Sequence, residues 1–413
     1  MINIPKGTKD VLPSQSYKWQ YIEDEIRKVC KQFNILEIRT PTFEHTELFL
    51  RSIGDETDVV SKEMYTFEDK GHRSITLKPE GTASTVRSYI ENNLEAMSLP
   101  LKMFYLTPVF RYEAPQAGRL REHHQFGVEM YGSQSPYADA EVINAAYTLL
   151  TRLGVKNLAL NINSIGCPEC RVKFNAALKE YLSQHIEEMC DDCKRRFATN
   201  PLRIIDCKKD NCKKVVANAP KILDYICDDC RNHFEALQSI LKAENIPFTV
   251  NSSIVRGLDY YTKTVFEFVT TSLGAQGTVC GGGRYDNLVS SMGGKFTPCV
   301  GFGMGIERLI MLLEANGKEF PHESLDYYIA CQSEECREVC RKVVSKLRQD
   351  GYSAETDFMS RSVKAQFKYA DKINAKYTVV IGESELQSGK AQIKRMSDGE
   401  KQEKSLDDLS WTL

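Results

Sequence analysis

The strongest constraint on the fold is that strand-like stretches follow one another with few helical patterns between them. Residues 100–111 (PLKMFYLTPVFR) are aromatic and β-branched. After a basic loop, residues 126–132 (FGVEMYG) repeat that character, as do 157–163 (NLALNIN), 264–270 (TVFEFVT) and 277–281 (GTVCG). A doubly wound parallel sheet needs a crossover helix after each strand, so the pattern predicts an antiparallel sheet flanked by helices. Upstream, residues 14–33 place Trp19, Ile22, Ile26 and Cys30 at three- and four-residue steps, the spacing of an amphipathic helix. Asn34 closes it, and residues 35–39 read as a strand ended by Thr40-Pro41.

Two changes of texture divide the 413 residues. Residues 168–245 are charged, helical in pattern and rich in cysteine, as expected of an insertion between two halves of the sheet. Residues 315–325 (ANGKEFPHESL) are a polar linker with Gly and Pro. Beyond it, strands at 326–331, 352–356 and 377–381 alternate with helices at 334–350 and 361–375, which predicts a small α/β domain. The expected domains are 1–325, carrying the insertion at about 168–245, and 326–413. The length agrees with two to three domains of roughly 100–200 residues.

The N-terminus has no basic segment leading into an apolar one, and no apolar run approaches the ~20 residues of a membrane span, so the expected location is cytoplasmic, with no membrane partner. A net charge of −2 excludes a general basic coat for nucleic acid; RNA contact must use local patches.

Several short strings carry chemistry. Phe110-Arg111-Tyr112-Glu113, a basic loop and Gln125-Phe126-Gly127-Val128-Glu129 make a hairpin that points Arg111, Arg119 and Arg121 to one side. Guanidinium forks match phosphate oxygens. RGLDYY (256–261) puts an arginine beside two tyrosines, and GGGRYD (281–286) lets backbone approach a ligand closely. In residues 301–310 (GFGMGIERLI), alternating glycines run into an apolar helix whose first turn holds Arg308. A cation there opposes the helix dipole and calls for a ligand anion. The spacing is not that of a dinucleotide-binding fingerprint.

Together and in this order, these strings resemble the class II aminoacyl-tRNA synthetases. Residues 14–41 look like motif 1, 110–129 like motif 2 and 301–310 like motif 3. RGLDYY and GGGRYD resemble the two signatures of the histidyl-tRNA synthetase family, and KGTKDVLP (6–13) and PEGT (79–82) match it too. The resemblance covers essentially the whole chain. It implies an α+β class II catalytic domain with a helical insertion and a C-terminal anticodon-binding domain.

The resemblance also implies site residues. Arg111 would hold the ATP α-phosphate and Arg308 the γ-phosphate, with Glu113 and Arg119 completing the ATP site. Arg256 would lie across the α-phosphate, and Mg²⁺ would accompany the β- and γ-phosphates. Glu80, Thr82 and Gln125 would hold the histidine α-amino group, while Glu129 and Tyr261, with Tyr260 beside them, face the imidazole. An imidazole has one N–H donor and one acceptor nitrogen, so such a pocket rejects apolar isosteres. His123 replaces the family's usual phenylalanine over adenine, and the expectation is a mildly pH-dependent ATP affinity. Gln116 would meet the extra 5′ guanosine of tRNA(His). Lys342, Lys346, Arg361, Lys364 and Lys368 of the last domain are interleaved with acids and read as a solvated face. The implied partners are L-histidine, tRNA(His) and a second copy in a homodimer through motif 1.

Eight cysteines form the pairs Cys167/Cys170, Cys190/Cys193, Cys207/Cys212 and Cys227/Cys230. They suit two tetrahedral Cys₄ sites for structural Zn²⁺, or one with spare thiols, with open connectivity. Disulfides are not expected in a cytoplasmic chain. The alternative reading is a regulatory synthetase paralogue of histidine biosynthesis. Such proteins lack the C-terminal domain and degrade RGLDYY, whereas this chain keeps both. A synthetase-like sensor of uncharged tRNA would carry a kinase segment, and none is present.

Overall fold

The computed structural model describes residues 2–54, 57, 59–114, 118–207, 209–271, 277–322 and 324–406. The chain divides between Phe320 and Pro321 into two compact units. In the first, the strands are β1 (Leu36–Glu37), β2 (Phe43–His45), β3 (Tyr65–Glu68), β4 (Ser74–Leu77), β5 (Leu101–Phe110) and β6 (Glu122–Tyr131), then β7 (Leu158–Ser164), β8 (Phe248–Val250), β9 (Thr262–Thr270), β10 (Thr278–Arg284) and β11 (Cys299–Gly305). Eight of them form one sheet in the order β1-β5-β6-β11-β10-β9-β7-β8, and β2, β4 and β3 form a small one.

The inner strands of the large sheet are antiparallel, as expected. Its edges differ: β1 pairs parallel with β5, and β8 parallel with β7. In both cases a long excursion separates the partners, the small sheet in one and the whole insertion in the other. Such a connection lets the chain return in the same direction.

Side-chain alternation along the central strands separates core from site. Phe126, Val128 and Met130 of β6 and Val300, Phe302 and Met304 of β11 are buried in the main core, facing residues of the helices Pro13–Gln32, Pro136–Leu153 and Ile306–Ala315. Each such burial stabilises by roughly 1.5–3 kcal/mol. The intervening residues point the other way: Gln125, Gly127 and Glu129 on β6, Gly301 and Gly303 on β11, Gly281 and Gly283 on β10. In register, Gly281 lies opposite Gly303, and Gly303 opposite Gly127. One face is therefore packed against helices, and the other has a floor nearly free of side chains. The glycines of 301–305 belong to a strand in the middle of the sheet, not to a loop entering the helix.

The first helix begins with Pro13 in its first turn, where a missing N–H costs nothing, and buries Ile22, Ile26, Val29 and Cys30. The insertion folds as the helices Pro168–Ser183, Asp191–Thr199, Asp210–Val216 and Asp228–Ala243 around its own core, which includes Phe174, Leu178, Leu182, Ile204 and Ile222.

The second unit has β12 (Tyr327–Cys331), β13 (Ala354–Thr356), β14 (Tyr377–Ile381), β15 (Lys390–Arg395) and β16 (Lys401–Ser405), in the order β13-β12-β14-β15-β16. The first three are parallel and the β15–β16 hairpin is antiparallel. Of its basic residues, Lys342 pairs with Glu338 at 2.8 Å, Lys346 with Asp350 at 2.6 Å and Arg361 with Asp357 at 3.1 Å. Among the described residues no helix is long and apolar enough to cross a membrane.

Candidate active site

A cavity of about 270 Å³ opens over the glycine floor. Glu80 and Thr82 enter it from the start of the helix Thr82–Glu91, and Arg111, Glu113 and Arg119 from the β5–β6 connection. Gln125 enters from β6, and Arg256, Tyr260 and Tyr261 from the segment before β9. The floor glycines make room for them. A Cβ on Gly281 would lie 2.4 Å from the Arg256 guanidinium nitrogens, and one on Gly303 would lie 2.5 Å from Gln125 Nε2.

The polar groups at the inner end are tightly partnered. Glu80 accepts from the Thr82 N–H at 2.8 Å and the Ala83 N–H at 2.7 Å, so it also caps the helix that follows. Gln125 Oε1 accepts from the Gly81 N–H at 3.0 Å. Glu129 lies beneath the lining, 1% exposed. One of its oxygens accepts from Thr82 Oγ1 at 2.7 Å and from Tyr105 OH at 3.2 Å; the other accepts from Tyr285 OH. Burial, with the Glu80 carboxylate adding to it against these hydrogen bonds, pushes its pKa up to about 8. A carboxylate has about four lone-pair positions, so three hydroxyls leave one open. Tyr261 stacks obliquely on Tyr260 with ring centroids 4.7 Å apart, and the Arg256 guanidinium sits 6.0 Å from the Tyr261 ring.

The outer end is rich in arginine. Arg111 is aimed by an Nε bond to Pro79 O at 2.8 Å, and Arg119 pairs with Glu113 at 3.3 Å. Arg256 is braced by Glu267 of β9. Arg308, on the first turn of Ile306–Ala315, lies near Arg119, and burial followed by the Arg119 charge lowers its pKa. The Nε atoms of Arg256 and Arg308 are buried without a hydrogen-bond partner, leaving donors for an incoming anion. His123 Nδ1 is likewise buried and unpartnered. Burial, then the Arg111 charge, pushes the His123 pKa down to about 3, so the ring is neutral from pH 6 to 8. A neutral ring in that range favours a flat ATP affinity over the mild pH dependence expected from sequence. Gln116 lies outside the described residues.

Residues 7–309 match the histidyl-tRNA synthetase family and residues 326–413 the anticodon binding domain. A histidine–tRNA ligase from Caldanaerobacter subterraneus subsp. tengcongensis is 57% identical over 406 residues, 98% of this chain and 97% of that one. The chain belongs to the histidyl-tRNA synthetase family. A second histidine–tRNA ligase, from Acetivibrio thermocellus, is 55% identical over the same shares of both chains. The crystal structure of apo Staphylococcus aureus histidyl-tRNA synthetase is similar with a TM-score of 0.85 at 39% identity, covering 99% of this chain and 98% of that chain.

The two family signatures have different jobs in this fold. RGLDYY delivers four side chains to the cavity, those of Arg256, Leu258, Tyr260 and Tyr261. In GGGRYD, Arg284 is fully buried and points away into an ion-pair network: Asp139 at 2.8 Å and Asp286 at 3.0 Å, with Thr264 and His233 also bonded to Asp139. Its role is to hold β10 to the helix Pro136–Leu153. Three participants were not anticipated from sequence. Tyr285 and Tyr105 complete the hydroxyl shell of Glu129. Arg203 of the insertion lines the same cavity and donates to Arg256 O at 2.9 Å. The Tyr285 signal was present in GGGRYD; Arg203 had none.

The eight cysteines stand apart from this cavity. Cys167, Cys170, Cys227 and Cys230 form one cluster, and Cys190, Cys193, Cys207 and Cys212 a second; in each, all four sulfurs lie within 4.8 Å of one another. The pairing left open by sequence is thus fixed as first with last and second with third.

Proposed function

We propose that the chain activates L-histidine with ATP and transfers it to the 3′ end of tRNA(His). The observation that carries this reading is a cavity with several arginines at its outer end and, beneath the lining at its inner end, a buried carboxylate held by three hydroxyls. Histidine enters with its imidazole toward Glu129, which gives up the proton it holds in the empty pocket and takes the ring N–H on the lone pair so freed. Tyr261, with Tyr260 behind it, faces the ring. Glu80, Thr82 and Gln125 take the α-amino group. A pocket with buried polar groups of this kind discriminates against apolar competitors by roughly 10⁴-fold, because they leave those groups unpaired.

The histidine carboxylate then attacks the ATP α-phosphorus, pyrophosphate leaves, and histidyl-adenylate forms. Charge grows on the α-phosphate oxygens, so positioned cations supply most of the catalysis. Arg111 and Arg256 meet those oxygens, while Arg119 and Arg308, with Glu113, meet the rest of the triphosphate. His123 faces adenine as a neutral ring. Family membership brings Mg²⁺ with ATP; Glu63 and Glu113 of the cavity would hold it, and it would offset triphosphate charge. In the second step the terminal ribose hydroxyl of tRNA attacks the acyl carbon and AMP leaves.

Residues 326–413 bind the anticodon, and Gln116 meets the extra 5′ guanosine of tRNA(His). The chain works as a cytoplasmic homodimer, with exposed Leu36 of motif 1 and exposed Phe43, Leu50 and Phe67 beyond it as the contact surface. The clustered cysteines bind structural Zn²⁺, which takes no chemical part in the reaction. Attachment of labelled histidine to a tRNA(His) transcript tests the reading. Charging with histidine alone is expected. Folded protein that charges none would favour a regulatory paralogue.

A further inference from the structure

We infer that each thiol cluster of the insertion holds one Zn²⁺, and that the outer one serves the active site by fixing Arg203 as a positioning residue for Arg256. The second half rests on the functional reading above; the first does not.

The sulfur geometry carries the metal. All eight cysteines are free thiols. Sulfur–sulfur distances are 3.5 Å for Cys167–Cys170, 3.9 Å for Cys170–Cys230 and 3.9 Å for Cys190–Cys207. A tetrahedron of thiolates about 2.3 Å from zinc has edges of about 3.8 Å. One quartet joins the two ends of the insertion and the other closes residues 190–212, and backbone N–H groups point at sulfur: Cys227 N–H to Cys170 Sγ at 3.0 Å, Cys190 N–H to Cys212 Sγ at 3.3 Å. Cys167, Cys190 and Cys227 each stand directly before a helix, where the first backbone N–H groups have no partner within the helix. Four soft ligands in tetrahedral array select zinc over harder divalent ions.

The two sites have different duties. The inner one closes the root of the insertion, where the Lys263 N–H donates to Gly166 O at 2.9 Å, beside the tyrosines of RGLDYY. The outer one brackets residues 194–206. From that span Asn200 Nδ2 donates to Asp259 Oδ1 at 2.8 Å and Arg203 Nη1 to Arg256 O at 2.9 Å. The insertion thus grips the arginine segment at two points. Closing the bracket with a metal removes the freedom of the span that carries both contacts. Arg203 fixes the backbone of Arg256, and Arg256 keeps its guanidinium seated over Gly281.

The test uses full-length untagged protein purified without chelator. Elemental analysis should give two zinc per chain in the wild type and in Arg203→Ala, and one in Cys193→Ser. In histidine-dependent ATP–pyrophosphate exchange, Arg203→Ala and Cys193→Ser should each lower kcat by ~10-fold or more with the ATP and histidine KM values little changed, because misplacement of a transition-state contact acts on kcat. Arg203→Lys should recover part of the loss. Hydrogen exchange gives a readout free of activity: Cys193→Ser should deprotect residues 199–206 and 256–259 together. Protein with no zinc, or with iron in its place, overturns the metal assignment. Arg203→Ala within twofold of wild type, or unchanged protection at 256–259 in Cys193→Ser, overturns the positioning role. If Cys193→Ser does not fold, Arg203→Ala and the wild-type zinc count still decide. Wild-type protein that holds two zinc ions but supports no exchange would sink the function reading and leave the metal sites standing.

Discussion

Replacing Glu129 with glutamine should stabilise the protein near neutral pH while abolishing histidine activation. The native carboxyl has its pKa raised from the ordinary 4.5 to about 8, chiefly by burial. The native state therefore holds a proton that the unfolded chain has given up between pH 4.5 and 8, and stability falls as pH rises through that window. From 4.5 to 7 the loss is about 2.5 pH units at ~1.36 kcal/mol each, or about 3 kcal/mol. Glutamine has the same size and never ionises, so it escapes this loss. It sacrifices one acceptor facing three hydroxyls, which costs about 1 kcal/mol. The net gain at pH 7 is about 2 kcal/mol, a rise of a few degrees in Tm for a unit this large. At pH 5 the ionisation loss nearly vanishes, and the variant should be the less stable of the two. Urea or thermal denaturation followed by circular dichroism at pH 5, 7 and 8 reads the crossover. A variant destabilised equally at all three values would refute the assignment of a desolvated carboxyl here.

Other perturbations probe the rest of the site. The KM for ATP in the wild type should be flat from pH 6 to 8, because His123 stays neutral there; a step in that range that disappears in His123→Phe would contradict it. Asp139→Asn should cost about 3–5 kcal/mol in denaturant unfolding, since it leaves the buried Arg284 guanidinium without its main counter-charge. Gly281→Ala should leave stability within about 1 kcal/mol, because the displaced group is the flexible end of Arg256, yet lower kcat about 100-fold by moving that guanidinium. A kcat near wild type would show that Arg256 does not act from its observed seat.

Much of this fold was legible because burial imposes a period on sequence. The 14–33 helix and the strands beginning near 101, 158 and 264 are held by apolar patterns that the core then uses. The strand at 299–305 was missed for a physical reason: its site-facing residues are glycines, and nothing local separates a glycine-rich strand from a loop until β6 and β10 pair with it. The helix Pro136–Leu153 was missed although its ends were marked. Ser135 accepts from the Tyr137 N–H, Pro136 occupies the first turn, and Gly154 adopts a positive φ of 82° at the close. The β15–β16 hairpin is charged on most positions and buries little beyond Ala391 and Ile393, too weak an alternation to read. In the site, family motifs pointed to the residues that approach substrate. They were silent on Arg284 as a structural ion pair, on the hydroxyls around Glu129, and on Arg203, whose place depends on how an insertion folds back over the cavity.

Histidine-dependent ATP–pyrophosphate exchange, run with the full set of amino acids on the wild type and on Arg256→Ala, tests the central claim most directly. Exchange with histidine alone, reduced ~100-fold or more in the variant while the protein stays folded, is the predicted result. Exchange that survives the loss of Arg256, or that another amino acid supports as well as histidine, would contradict the account of this cavity.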